Sequence, residues 1–209
     1  MVDLAALTAA VEAGDRKSAV AVTAQAIEDG RPPQEILDAM TSAMEVVGGK
    51  FARNELYVPE MLISARAMKE ATAVLEPLLV KAGIKPEHTA VIGTTKGDLH
   101  DIGKNLVGMM WKGAGIAIVD LGTNVSAEQF VSAAKEHGAS LIGVSALLTT
   151  TMVGMKAVVA AVREAGLSTR VLVGGAPLTP EFAASIGADG YAPDAASAVD
   201  VAKGLLASP

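Results

Sequence analysis

The stretch Thr89-Ala90-Val91-Ile92-Gly93-Thr94-Thr95-Lys96-Gly97-Asp98-Leu99-His100-Asp101-Ile102-Gly103 decides the fold. A β-branched run, Thr89 to Gly93, passes into a polar loop bounded by glycines, and an amphipathic segment follows at once. This is the opening of a βα unit. The pattern recurs downstream: strands are expected at Ile116 to Leu121, Leu141 to Val144, Val171 to Val173 and Tyr191-Ala192, each ahead of a helical segment. Five such units predict a parallel sheet with helices packed on it. Ser126 and Gln129 form a capping box for the helix after the second strand, and Asp194 is placed to cap the last helix.

Upstream the periodicity is different. From Leu4 to about Ala82 apolar residues recur three and four apart, with helix punctuation between them. Four helices are expected: Leu4 to Ala13, stopped by Gly14; from an Asp15 cap to near Gly30; from Pro32-Pro33 through Met40 and Met44 toward Phe51; and from Pro59 to Ala82. The turn-forming Gly83-Ile84-Lys85-Pro86 is the boundary. The expected architecture is an N-terminal all-α four-helix bundle over residues 1–85 and a C-terminal α/β domain over residues 86–209. The latter is Rossmann-like (flavodoxin-like), with a five-stranded parallel sheet.

Composition agrees. Hydrophobic residues make up 51% of the 209 but aromatics only 3%, so the apolar mass is aliphatic, as suits helices packed closely on a buried parallel sheet. The longest charge-free run, Gly138 to Met155, contains Ser140, Ser145 and Thr149 to Thr151 and reads as strand, loop and helix start rather than a membrane span. A net charge of −6 without a Lys/Arg cluster leaves no electrostatic footprint for nucleic acid or an anionic membrane. The absence of cysteine excludes disulfides, thiolate zinc sites and cysteine nucleophiles. Met1-Val2-Asp3-Leu4 carries an acid where a secretory leader carries basic residues, so a cytoplasmic location is expected.

In an open parallel sheet, ligands bind beyond the carboxyl ends of the strands near the point where strand order reverses. That selects the loops after the first, third and fourth strands. In the first, Thr94 to Gly103, glycines allow positive φ and close approach of backbone to a ligand. A phosphate-binding loop fails here: Gly97 and Gly103 are separated by five residues instead of four, and Asn105 replaces the Ser/Thr after Gly-Lys. His100 between Asp98 and Asp101 suits a metal, with Asp98 the better residue to orient the ring. A loop histidine merely hydrogen-bonded to Asp98 is the alternative. His88 and His137 read as structural or solvated, and no zinc cluster can be assembled from the three histidines.

Asp98-x-His100-x-x-Gly103, Ser145-x-Leu147 and Gly174-Gly175 together resemble the three-part signature of cobalamin-binding domains. The likeness is to the methionine synthase type and, more closely, to the corrinoid proteins of anaerobic methyltransferase systems. In the helical half, Val47-Gly48-Gly49-Lys50-Phe51 and Val58-Pro59-Glu60-Met61-Leu62 are similar to the cap module of these families. The resemblance makes residues 1–85 a helical cap domain and residues 86–209 a cobalamin-binding domain. It implies a cobalamin or related corrinoid (a methylcobamide) whose own base leaves cobalt, with His100 as lower axial ligand in its place. Gly97, Asp98, Leu99, His100, Asp101, Ile102 and Gly103 would form the cofactor loop. Ser145 and Thr149 would contact the displaced tail, which Gly174-Gly175 would let pass. Ala146, Ala176 and Ala195 are small enough to serve the same slot, and Leu147 and Tyr191 would also line it. The family's relay maps onto His100, Asp98 and Thr151, threonine standing where methionine synthase has serine. The cap contacts map to Phe51 and Val58, where methionine synthase has phenylalanine and leucine. Met61 and Met68 read as ordinary bundle core.

The role so implied is a non-catalytic methyl carrier. It would shuttle between a substrate:corrinoid methyltransferase and a corrinoid:acceptor methyltransferase using tetrahydrofolate or a thiol, with a reductive activase as a third partner and no nucleic-acid or membrane partner. Two other readings share parts of the motif set. A cobalamin-dependent sensor or regulator normally adds a DNA-binding or signalling domain, and the cofactor subunit of a carbon-skeleton mutase needs a substrate barrel in place of a helical cap.

Overall fold

A computed structural model describes residues 2–207; residues 1, 208 and 209, at the outer ends of the two expected domains, lie outside the described residues. The chain divides into two compact units, one of residues up to Pro86 together with Gly113–Gly115, the other of Glu87–Lys112 and the residues from Ile116 onward.

The first unit contains four helices: α1 (Leu4–Glu12), α2 (Arg16–Glu28), α3 (Pro33–Ala52) and α4 (Val58–Lys81). Their limits follow from local chemistry. Asp3 and Asp15 accept from backbone N–H groups of the first turns of α1 and α2. Pro33 opens α3 where a missing N–H costs nothing. Val58, not Pro59, is the first residue of α4, and Glu60 reaches back to the Tyr57 N–H at 3.2 Å. The helical stripes meet in a core of Leu7, Val11, Ile36, Met40, Met61 and Leu75, all fully buried. Met61 and Met68 are thus bundle core.

The second unit runs β1 (Thr89–Thr94), α5 (Ile102–Gly113), β2 (Ala117–Asp120), α6 (Ala127–His137), β3 (Leu141–Ser145), α7 (Met152–Glu164), β4 (Arg170–Gly174), α8 (Pro180–Ser185), β5 (Gly190–Ala192) and α9 (Ala195–Leu206). The strands are parallel in the order β2-β1-β3-β4-β5. One apolar cluster, including Phe130, Ile142, Met155 and Val173, packs α6 and α7 on the sheet; a second, including Ile92, Trp111, Leu172 and Ala198, packs α5 and α9. Gly143 in β3 makes room for Trp111: a Cβ there would lie 2.7 Å from the indole. The indole Nε1–H donates to the Ala198 carbonyl at 2.9 Å. The Ser126–Gln129 capping box and the Asp194 cap are both formed. The charge-free run resolves into β3, a loop and the start of α7, and among the described residues no helix is long and apolar enough to cross a membrane.

This strand order reverses between β1 and β3, since α5 follows β1 toward β2 while the chain later returns to β1's other side. The loops leaving these two strands therefore diverge, and the crevice between them is where an α/β sheet binds a ligand.

Candidate functional site

Asp98 is the hub of that crevice. It leaves β1 on a turn in which Gly97 takes φ +86, a left-handed conformation that glycine adopts freely. Its carboxylate is fully buried. One oxygen, Oδ1, accepts from the His100 backbone N–H at 3.1 Å and faces the His100 ring Nδ1 at 2.7 Å. The other, Oδ2, accepts from the Leu147 N–H at 2.8 Å, the Leu148 N–H at 3.3 Å and the Thr151 hydroxyl at 2.7 Å. One carboxylate thus ties the loop after β1 to the loop after β3.

A buried carboxylate without partners costs several kcal/mol and tends to neutralise. Burial does push the Asp98 carboxyl upward, but the Leu147 N–H, the Thr151 hydroxyl and the two His100 groups outweigh it and hold Asp98 well below the usual carboxylate range. Asp98 is therefore an anion at any physiological pH. An anion at Nδ1 fixes the tautomer: Nδ1–H donates to Asp98, and the lone pair lies on Nε2. The His100 side chain is 51% exposed, so a metal could approach the ring.

The surroundings fit a flat apolar macrocycle. Leu99, Ile102, Leu147, Leu148 and Val153, from the two segments that meet at Asp98, are exposed by 42–77%, apolar side chains on which such a group could rest. Among the described residues no group of three His, Cys, Asp or Glu side chains could hold a metal ion. A single imidazole suits a metal whose equatorial ligands come with its cofactor.

The expected site residues are placed as follows. His100, Asp98 and Thr151 form one hydrogen-bonded chain. Asp101 is exposed and accepts from Asn105 Nδ2 at 3.1 Å. Gly103 has no left-handed φ, because α5 already begins at Ile102 and the Asp101 carbonyl accepts the Asn105 N–H at 2.8 Å. A Cβ on Gly103 would meet nothing within 4 Å, so what it leaves open is the approach from outside. Ser145 ends β3 beside Thr94 and Gly174, and Thr149 is exposed. At Gly175, φ is +141 and a Cβ would lie 1.8 Å from the Ala146 carbonyl oxygen, so this glycine is required by the chain's own packing. Gly174 and Ala176 stand beside it at the end of β4, and Ala195 is buried at the start of α9. Tyr191 donates its hydroxyl to the Leu178 carbonyl at 3.1 Å. Phe51 and Val58, both half-buried, belong to the helical unit, at the end of α3 and the start of α4.

Lys104, which the phosphate-loop comparison brought into view, is 2% exposed and ion-paired to Asp120 at 2.7 Å. It is not available to a phosphate. Sequence reasoning missed the backbone donors Leu147 and Leu148, because an amide contact leaves no trace in residue identity.

Known proteins resemble this chain along most of its length. The family model described as B12 binding domain matches residues 88–200, and a second model of the same description matches residues 4–76. A corrinoid protein of Desulfitobacterium hafniense is 40% identical over 206 residues, covering 96% of this chain and 95% of its own. Dimethylamine corrinoid protein 3 of Methanosarcina acetivorans is 42% identical over 188 residues, covering 87% and 88%. Among solved structures, a chain of the methanol:cobalamin methyltransferase complex of Methanosarcina barkeri has a TM-score of 0.88 at 29% identity, covering 99% of this chain and 80% of that one. The monomethylamine corrinoid protein of the same organism has a TM-score of 0.54 at 35% identity, covering 94% of each.

Proposed function

The chain belongs to the corrinoid proteins of methyltransferase systems, and from that premise we propose that it carries a methyl group on a corrinoid held base-off with His100 as lower axial ligand. The observation that carries the reading is the chain Thr151–Asp98–His100, which engages Nδ1 and leaves Nε2 on a half-exposed ring. A bound corrinoid supplies a cobalt centre able to accept a methyl group from one partner and release it to another. His100 would hold cobalt from below. Leu99, Ile102, Leu147 and Val153 would pack on the macrocycle, and Ser145, Thr149 and Gly174 would line the way for the tail. Phe51 and Val58 are the cap residues of the proposal.

The protein's own part in the chemistry is to tune one imidazole. Asp98 stays a carboxylate, and so remains the acceptor for the ring Nδ1–H. The Thr151 hydroxyl has a single proton and two acceptors, Asp98 Oδ2 at 2.7 Å and the Leu148 carbonyl at 2.8 Å. Donation to Asp98 lowers the carboxylate's pull on the ring; rotation to Leu148 restores it. The partners of the proposal are a methyltransferase that loads the methyl group, a second that removes it to tetrahydrofolate or a thiol, and a reductive activase. The methylamine and methanol systems of the relatives make those donors the first to try.

The test is reconstitution of the protein with hydroxocobalamin, then reduction and a panel of methyl donors with candidate partner enzymes. His100→Ala is expected to retain cobalamin with altered axial-ligand absorption bands. A spectrum unchanged by the substitution would remove the ligation from the account.

A further inference from the structure

We infer that Asn124 and Thr94, two residues outside every signature motif, are positioning residues that set where the His100 ring stands; this rests on the reading that His100 ligates cobalt.

Asn124 lies in the loop between β2 and α6 and is one of two non-glycine residues among those described with a left-handed backbone, at φ 57. A side chain there is disfavoured, and asparagine is among the few that tolerate it. What the conformation achieves is specific. The side-chain Oδ1 accepts from the Gly97 N–H at 2.9 Å, and the Asn124 N–H donates to the Asp98 carbonyl at 3.0 Å. One residue thus brackets the peptide that launches Asp98.

Thr94 acts from the other end. It is fully buried at the end of β1, and its hydroxyl donates to the His100 carbonyl at 2.8 Å. Its own backbone is tied to the loop that carries Asn124: the Thr94 N–H donates to the Gly122 carbonyl and the Thr94 carbonyl accepts the Val125 N–H, both at 2.9 Å. The two pins share a single base.

The Asp98 carboxylate alone does not fix the ring. It meets His100 at the backbone N–H and at Nδ1 through the same oxygen, which leaves the residue free to hinge about that oxygen. The Thr94 hydroxyl on the carbonyl removes the hinge, and Asn124 keeps the carboxylate's own backbone from following it. Groups behind a metal-binding histidine commonly carry a ten- to hundredfold share of metal affinity, since the ligand bond is directional.

The test uses the whole protein, loaded with hydroxocobalamin, and reads bound cobalamin, its histidine-ligated fraction by absorption, and thermal melting. Asn124→Gly keeps the left-handed backbone and removes only the acceptor; Thr94→Val keeps the shape and removes only the donor. Each is expected to bind cobalamin but to lower the equilibrium constant for the axial bond by about tenfold. Asn124→Asp and Thr94→Ser, which retain the acceptor and the donor, should recover most of that loss. Thr94→Val, being isosteric, keeps the test open should Asn124→Gly fail to fold. Full histidine ligation in both deletion variants overturns the inference, as does failure of both rescuing variants, which would assign the effect to loop packing. His100→Ala separates the two levels: if its spectrum equals that of the wild type, the ligation reading falls and the inference with it. If His100→Ala shifts while the pinned-loop variants do not, the inference alone falls.

Discussion

Asp98 carries more of the site than His100 does, because five donors converge on a carboxylate that has no access to water. Replacing it by alanine leaves buried N–H and O–H groups without an acceptor, and the apoprotein should lose about 3 kcal/mol, read as a lower urea midpoint. Its pH dependence has a definite sign. The folded-state value lies below the unfolded one, so the contribution is complete above roughly pH 4–5 and is lost as pH falls further. The melting-temperature gap between wild type and Asp98→Asn should close as pH falls below about 4. A gap that stays unchanged in acid would mean that Asp98 is not the anion described. The spacing Asp98-x-His100 made this pair legible in the sequence. The donation from Leu148 and the left-handed turn at Asn124 were not, since both are set by backbone geometry in loops from other strands.

At the scale of elements, the glycines of the signature do different work. Gly175→Ala would drive a Cβ into the Ala146 carbonyl at a φ that side chains avoid, and should cost the apoprotein about 2 kcal/mol or more. Gly103→Ala lies in the first turn of α5 with nothing in reach. Stability should be unchanged or raised by a few tenths to about 1 kcal/mol, while cobalamin affinity, measured by equilibrium dialysis, should fall, because the added methyl stands where a ligand must approach. Equal affinity in both proteins would contradict that placement of the cofactor. The elements themselves were legible from periodicity and caps: all five strands and the four N-terminal helices lie where the pattern put them, within a few residues. The part of Gly103 was left open because a glycine in a loop motif looks the same whether it supplies a turn or clears a path; only the onset of α5 distinguishes the two.

For the whole molecule, the change of period at the Gly83-Ile84-Lys85-Pro86 turn pointed to a helical and an α/β half, and two compact units meet in the chain at Pro86 and Glu87. Residues 81–83 and 85–87 are exposed, which makes this connection the natural site for a protease. In the proposal the helical unit is a cap that moves when the methyl group is transferred. Limited proteolysis of the loaded protein should then give different cleavage rates with and without a methyl donor; identical patterns would count against such a movement.

The central claim is that a nitrogen of His100 binds cobalt. It is tested most directly by electron paramagnetic resonance of the Co(II) form in protein labelled with 15N only at histidine. The account predicts that the nitrogen superhyperfine splitting changes from triplets in unlabelled protein to doublets in labelled protein, and disappears in His100→Ala. Triplets that persist in the labelled protein would place the cofactor's own base on cobalt and contradict it.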